Sequence, residues 1–458
     1  MKSLPVPVTL LLFALAWAPA NPSLHAEWKA GVARTVITPS EPMWMAGYGG
    51  RTAPASGKQT ELYAKALYLE DGQGSRGILF SLDLVGVDRF FSTALCARLE
   101  KETGLSRAEI ALCTSHTHSG PVVGQNLAPL HYMVLPPEHR EKIDAYAQRL
   151  SAQLVALARE AMSAPVAVRL QAASGKATFA VNRRNNKPYS DVPEKRDRGR
   201  LEGPVDHDVP VLTVRDSGDR LVAILFGYAC HATTLPFDRW DADYPGYAMT
   251  SLETRYPGSL ALFWAGCGGD QNPLPRREVA LARYYGRKLA DAVSDTIDAP
   301  MPELSPQLAV EYTEIEAPLA RIPERGELLA DTESTNRFEV ARARYLLERL
   351  EEHGGLEDHY PFPIGHWELG GRIDLIFLGG EVVIDYALRL KKERRGTDTW
   401  VAAYAHDVMA YIPSLRVLRE GGYEGGGSNV YYGLPALWDE SIEETIIRAV
   451  HSGSSTPE

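Results

Sequence analysis

Cys113-Thr-Ser-His116-Thr-His118-Ser-Gly-Pro121 follows directly on the apolar run Ile110-Ala-Leu-Cys113, and the abrupt change between the two sets the reading of the whole chain. A short apolar run of this kind reads as a buried strand, and Gly120-Pro121 stops any regular element. Two imidazoles at i and i+2 of an extended segment project to the same side. Both then face one cleft at the C-terminal edge of a sheet, where open α/β folds place their ligands. Histidine is the commonest metal ligand and changes charge near neutral pH, so His116 and His118 read as a metal or proton-transfer pair. A pair of loop histidines satisfied by the flanking hydroxyls is the other reading, and this stretch alone leaves both open.

The same arrangement recurs twice downstream. Leu225-Phe-Gly-Tyr-Ala-Cys230 is an apolar run that ends on His231-Ala-Thr-Thr234. Residues 260–265 form another, ending in Gly266-Cys-Gly-Gly-Asp270-Gln-Asn272-Pro273. Glycine turns let backbone N–H groups come close to a ligand. This one lacks the Gly-Lys-Ser/Thr ending of a phosphate-binding loop, which argues against a nucleotide. Asp241 and Asp243 read as caps of the helix that follows, with contact to a metal-binding histidine as the alternative.

Around these runs, strand and helix signals alternate. Strands are expected over 64–69 and 77–85, joined by the turn at 71–74, and over 166–181. A hairpin is expected over 209–214 and 220–228. Helices are expected over 90–103, 277–297, 324–352 with an interruption, and 440–450. The clearest helix is 138–162, where Ile143, Ala147, Leu150, Leu154, Leu157 and Ala161 form one stripe. Residues 371–378 and 381–388 read as paired strands around Gly379-Gly380, and 400–404 and 408–411 as further strands. Residues 185–203 read as a polar, exposed loop. The fold class is α/β: mixed β-sheets flanked by helices in a single large catalytic domain.

Composition bounds the rest. The 458 residues are 45% hydrophobic and 23% charged, as in an ordinary globular protein. The net charge of −11, with no Lys/Arg cluster, argues against nucleic acid as a partner. Met1-Lys2 and the apolar run from Leu4 to Ala18 read as a secretory signal peptide over 1–26, cleaved after Ala20 or Ala26. The run is too short and too broken by proline for a membrane span. The expectation is a secreted or periplasmic mature protein comprising 27–458. Cys96, Cys113, Cys230 and Cys267 are too few for a disulfide scaffold and form no Cys-x-x-Cys pair. They read as small buried hydrophobes.

Several motifs fall in a familiar order. Gly31-Val-Ala-Arg34, Ile37-Thr-Pro39 and Ala46-Gly-Tyr48 open the chain, and Thr114-Ser-His-Thr-His-Ser-Gly-Pro121 follows. Asn182-Arg183 comes after the long helix, then Ala229-Cys-His231-Ala-Thr233 and Gly269-Asp-Gln-Asn-Pro273. Gly379-Gly-Glu381, Ala410-Tyr411 and Tyr423-Glu-Gly-Gly426 close the series. From about Gly31 to about Gly427 the chain resembles the neutral/alkaline non-lysosomal ceramidase family.

That resemblance implies a zinc-dependent amidase that splits the N-acyl bond of ceramide, or of a related N-acylated lipid or small molecule, with metal-activated water. It implies His116, His231, Glu381 and Tyr411 as zinc ligands. It implies His118, Arg183 and Tyr423 facing the substrate, with Asp270 and Asn272 contributed by the glycine turn. The resemblance suggests peripheral membrane contact and names no protein partner. Two departures stand out. Asn272 occupies the position of a family serine, which excludes an acyl-enzyme at this residue. Family enzymes also usually carry a C-terminal immunoglobulin-like domain, which this sequence is not expected to contain. Hydrolysis of an ester or phosphoester, and a non-catalytic secreted binding protein, are the alternative readings.

Overall fold

The computed structural model describes residues 27–453. The signal peptide expected over 1–26, with its expected cleavage points, lies outside the described residues. Among the described residues no helix is long and apolar enough to cross a membrane.

Eight strands form the main sheet. In spatial order they are Leu260–Ala265, Leu221–Tyr228, Asp208–Asp216, Val166–Lys176, Trp28–Val36, Tyr63–Glu70, Arg76–Leu82 and Ile110–Thr114. The inner pairings are antiparallel, whereas each outermost pair is parallel. Both edge strands are buried along their whole length, which is why they read as unbroken apolar runs. The sheet curls so that its two edges approach. Ser81 Oγ donates to Phe263 O at 2.7 Å, and Lys65 Nζ donates to Ala261 O at 2.8 Å. The remaining gap is spanned by the chain around Ala403–His406. Ala403 N donates to Ala265 O at 2.8 Å, and His406 N donates to Leu112 O at 2.8 Å. The C-terminal ends of strands far apart in sequence therefore meet at one place.

Helices cover the sheet. Arg89–Thr103 starts at Asp88, whose side chain accepts from Phe91 N, and stops at Gly104 in the left-handed conformation at φ 72°. Pro137–Ser163 buries Ile143, Leu150, Leu154, Leu157 and Ala161 of the expected stripe and leaves its Ala147 half-buried. Asp243–Arg255 and Val279–Asp298 pack against each other and against the opposite end of the sheet.

A second sheet of four strands, Leu308–Pro318, His359–Leu369, Ile373–Leu378 and Asp398–Ala402, completes the architecture. The first two of these strands escape a reading of the sequence for physical reasons. Leu308–Pro318 alternates with exposed glutamates, and His359–Leu369 contains Pro361 and Pro363. Both prolines lie where that strand has one neighbour, since its second partner pairs only with Ile364 onward. A proline N–H missing from an unpaired side disrupts no ladder.

Other elements differ from expectation. The strand expected over 381–388 is only Glu381–Val382, followed by the helix Ile384–Glu393. Ile384, Ala387 and Leu390 are buried at helical spacing, and Ile384 N is satisfied by Asp270 Oδ1 at 3.0 Å. Strand character over 408–411 reduces to Tyr411–Ile412. The strand near 400 ends at Ala402, because Tyr404 adopts φ 54°. The strand expected over 166–181 breaks after Lys176 and resumes as Ala180–Asn182. Residues 185–203 are not merely a polar loop: they contain the helix Val192–Asp197, with Val192 and Asn186 buried. All four cysteines are free and buried.

Candidate metal centre

His116 follows the edge strand Ile110–Thr114 by two residues and holds φ at 58°. That conformation costs a residue with a Cβ roughly 1–2 kcal/mol, so the surroundings must impose it. Ser115 N donates to Leu82 O at 2.8 Å, the His116 ring stacks 4.1 Å from Tyr404, and His116 Nδ1 meets Val85 O at 2.6 Å. His231 arrives from the other edge, after Leu221–Tyr228. Its backbone N–H donates to Gln271 O at 3.1 Å, and its Nδ1 meets Gly268 O at 2.6 Å.

A carbonyl only accepts, so each Nδ1 carries a proton, and in the neutral imidazole that a metal requires each Nε2 presents a lone pair. These lone pairs converge on a carboxylate. His116 Nε2 lies 3.2 Å and His231 Nε2 3.0 Å from Glu381 Oε2. Three acceptor atoms this close, with no proton to place between them, repel one another unless a cation sits among them. Tyr411 OH is 3.1 Å from His231 Nε2. Glu381 and Tyr411 meet because Glu381–Val382 and Tyr411–Ile412 pair in parallel with these two residues in register. Burial holds the His231 imidazole near a pKa of about 4, which keeps it neutral, as a metal ligand must be.

His118 stands beside this set, its Nε2 3.1 Å from His116 Nε2 and its ring 4.7 Å from Tyr48. Burial and then the neighbouring imidazoles hold its pKa well below the ordinary value. His116, His118 and His231 thus form a buried group of three, with Glu381 touching His116 and His231 and Tyr411 touching His231.

Arg183 lies beyond Tyr411. It donates from Nη2 to Tyr411 OH at 3.0 Å and from Nε to Glu424 at 2.7 Å. Asn272 Oδ1 receives Arg183 Nη1 at 3.4 Å and Thr233 Oγ1 at 3.5 Å. Arginine only donates, which fixes this amide orientation and leaves the Asn272 NH₂ with no acceptor among the described residues. Tyr423 is 46% exposed, its ring 5.3 Å from that of Tyr411, at the open side of the site. Asp270 differs from expectation. Its carboxylate receives Ile384 N at 3.0 Å, Asn182 Nδ2 at 2.8 Å and Gln271 Nε2 at 3.0 Å, and touches none of the ligand atoms. It braces the turn and the segment bearing Arg183, whose N–H donates to Asp270 O at 2.8 Å. Asp241 and Asp243 likewise bind backbone N–H groups of their own loop and contact no histidine.

Three participants were not expected from sequence. Tyr404 backs the His116 ring, and Tyr432 donates to Glu381 Oε1. Tyr48, quoted above only as part of the Ala46-Gly-Tyr48 motif, donates to Thr233 O at 3.4 Å beside His118. No local signal marks these tyrosines among the 21 in the chain.

The model of the neutral/alkaline non-lysosomal ceramidase N-terminal domain matches residues 28–263. No curated protein matches the chain. Two solved structures share the fold. The neutral ceramidase from Pseudomonas aeruginosa superposes with a TM-score of 0.71 at 17% identity, covering 92% of this chain and 73% of that one. A ceramidase complexed with C2 superposes with a TM-score of 0.69 at 16% identity, covering 94% and 77%.

Proposed function

This chain belongs to the neutral/alkaline non-lysosomal ceramidase family, and from that membership we propose that it is an exported zinc-dependent amidohydrolase cleaving the N-acyl bond of ceramide or a related N-acylated substrate. The observation that carries the reading is the convergence of the His116 and His231 lone pairs on Glu381 Oε2 at 3.2 and 3.0 Å. Zinc bonds of about 2.0–2.1 Å in a tetrahedron put ligand atoms roughly 3.3 Å apart, so the spacing suits that ion. His116, His231, Glu381 and Tyr411 would hold it. When bound, zinc would polarise the scissile carbonyl and lower the pKa of a water to about 7.

The chain's own residues do the remaining work. Val85 O and Gly268 O fix the tautomer and aim of the two imidazoles. Arg183 faces the Tyr411 oxygen and stabilises its deprotonated form. The Asn272 NH₂, free of acceptors among the described residues, donates to the oxyanion that develops on the amide carbonyl. An amide side chain offers no nucleophile, so the reaction needs no covalent intermediate at this position. His118 offers an imidazole beside the ligand atoms to protonate the leaving nitrogen.

The test is metal content together with turnover of an N-dodecanoyl amide, the matched ester and a matched phosphoester. The proposal expects about one zinc per chain and amide cleavage that His116→Ala abolishes together with the metal. Phosphoester cleavage without amide cleavage would refute it. Export is assigned to the leader 1–26, and N-terminal sequencing of secreted protein should begin at Asn21 or Glu27.

A further inference from the structure

Tyr432 stands between two spaces. Its hydroxyl donates to Glu381 at the metal centre, while the residue also lines a cavity of about 520 Å³ that His116, His118, His231, Glu381 and Tyr411 do not line. The helix Arg337–His353 runs along the cavity. Phe338 packs beside Gly49 and Tyr431, whereas Tyr345, Leu346 and Arg349 wall the cavity. The volume lies within the roughly 300–1,000 Å³ of small-ligand sites.

Beside the aromatic rings of Tyr345 and Tyr432, the walls are formed by the aliphatic side chains of Leu319, Leu346, Leu356, Met409 and Leu434. Among them sits a carboxyl group. Asp407 is 2% exposed; its Oδ2 receives Tyr360 OH at 2.6 Å, while among the described residues its Oδ1 takes no hydrogen bond. Asn126 lies in the same wall and is also buried. Its NH₂ donates to Val408 O at 3.2 Å, which fixes the amide orientation and leaves Oδ1 without a donor. Buried acceptors normally find partners, and among the described residues Asn126 Oδ1 has none. Burial also pushes the Asp407 carboxyl up to about 7, the direction that a neighbouring cation would reverse.

The rim favours positive charge as well. Glu316 and Glu357 lie exposed there, and the Arg89 charge is taken up by Glu314 at 2.8 and 2.7 Å. Arg349 is the remaining rim arginine and lies over the Tyr345 ring. Acceptors without donors, a buried carboxylate and aliphatic walls together specify a ligand with a donor-rich cationic head and a hydrocarbon tail.

We propose that this cavity binds a long-chain primary amine, its ammonium on Asp407 and Asn126 and its chain along the leucines. The inference does not depend on which bond the metal centre cleaves.

The test is calorimetric titration of the full chain with dodecylamine, dodecanol and dodecanoate. Each is kept below its micelle concentration at about pH 8, where the amine is charged and the carboxyl ionised. Dodecylamine should bind once per chain, about tenfold or more tighter than the alcohol or the acid, as a charge-assisted contact predicts. Asp407→Asn should weaken it about tenfold, and Leu356→Trp, which fills the cavity from its half-exposed rim, should weaken it similarly, both variants melting near the parent. His116→Ala should leave amine binding unchanged. Equal binding of amine and carboxylate would overturn the proposal, as would undiminished amine affinity in folded Asp407→Asn, or loss of amine binding in His116→Ala. Should Asp407→Asn fail to fold, Leu356→Trp decides alone, and unchanged affinity there overturns the site.

Discussion

The loop after Thr114 and the loop after Tyr228 each deliver one imidazole, and each ties Nδ1 to a backbone carbonyl at 2.6 Å. They differ in what stabilises the rest. His116 holds φ 58° and stacks on Tyr404, so its aim is set by backbone strain and a ring behind it. His231 has no such strain and touches Tyr411 in addition to the Glu381 oxygen that both histidines share. One histidine is positioned from behind and the other from in front. Both loops therefore need the last third of the chain in place, the first for the Tyr404 ring behind its imidazole and the second for Glu381 and Tyr411 in front of its own.

The largest effect should come from removing either ring. His116→Ala and His231→Ala should each lose the metal and at least about 10³-fold in activity, beyond the 10–100-fold typical of outer contacts; metal analysis and initial rates check this. Retention of metal in one variant would break the symmetry of the pair. Next comes the donor beside the second loop. Asn272→Ala should lower kcat by about 10²–10³-fold while leaving metal content unchanged, as for loss of one oxyanion donor. Tyr404→Leu should weaken metal affinity about 10–100-fold through His116, while Tyr404→Phe should change it little. The Tyr404 hydroxyl makes only a long contact of 3.5 Å, with His231 Nδ1. A chelator competition on both variants measures the difference. The smallest effect is expected for Tyr432→Phe, about tenfold or less in metal affinity, because it removes one contact to Glu381 and keeps the ring.

The legible parts of the molecule were those where one physical requirement dominates a short stretch. The edge strands Ile110–Thr114 and Leu260–Ala265 are buried throughout and show as apolar runs. The histidines show because they end such runs. Glu381 and Tyr411 carry no comparable mark, and only family resemblance singled them out. What joins them is a two-residue parallel pairing that brings residues 30 positions apart into register. The strand His359–Leu369 was hidden by prolines that its edge-like half tolerates. Tyr404 and Tyr432 were hidden because their roles exist only once the sheet has curled and the segment around Ala403–His406 bridges its edges. Asp270 misled because a buried carboxylate beside a glycine turn fits both catalysis and bracing, and its partners decide for bracing.

The central claim is that His116, His231, Glu381 and Tyr411 surround one cation. An anomalous difference map at the zinc edge, from a crystal of the metal-loaded protein, tests it most directly. The account predicts a single peak about 2.0–2.2 Å from His116 Nε2, His231 Nε2, a Glu381 oxygen and Tyr411 OH. A peak held by His118 in place of Glu381, or no peak between the two imidazoles, would contradict it.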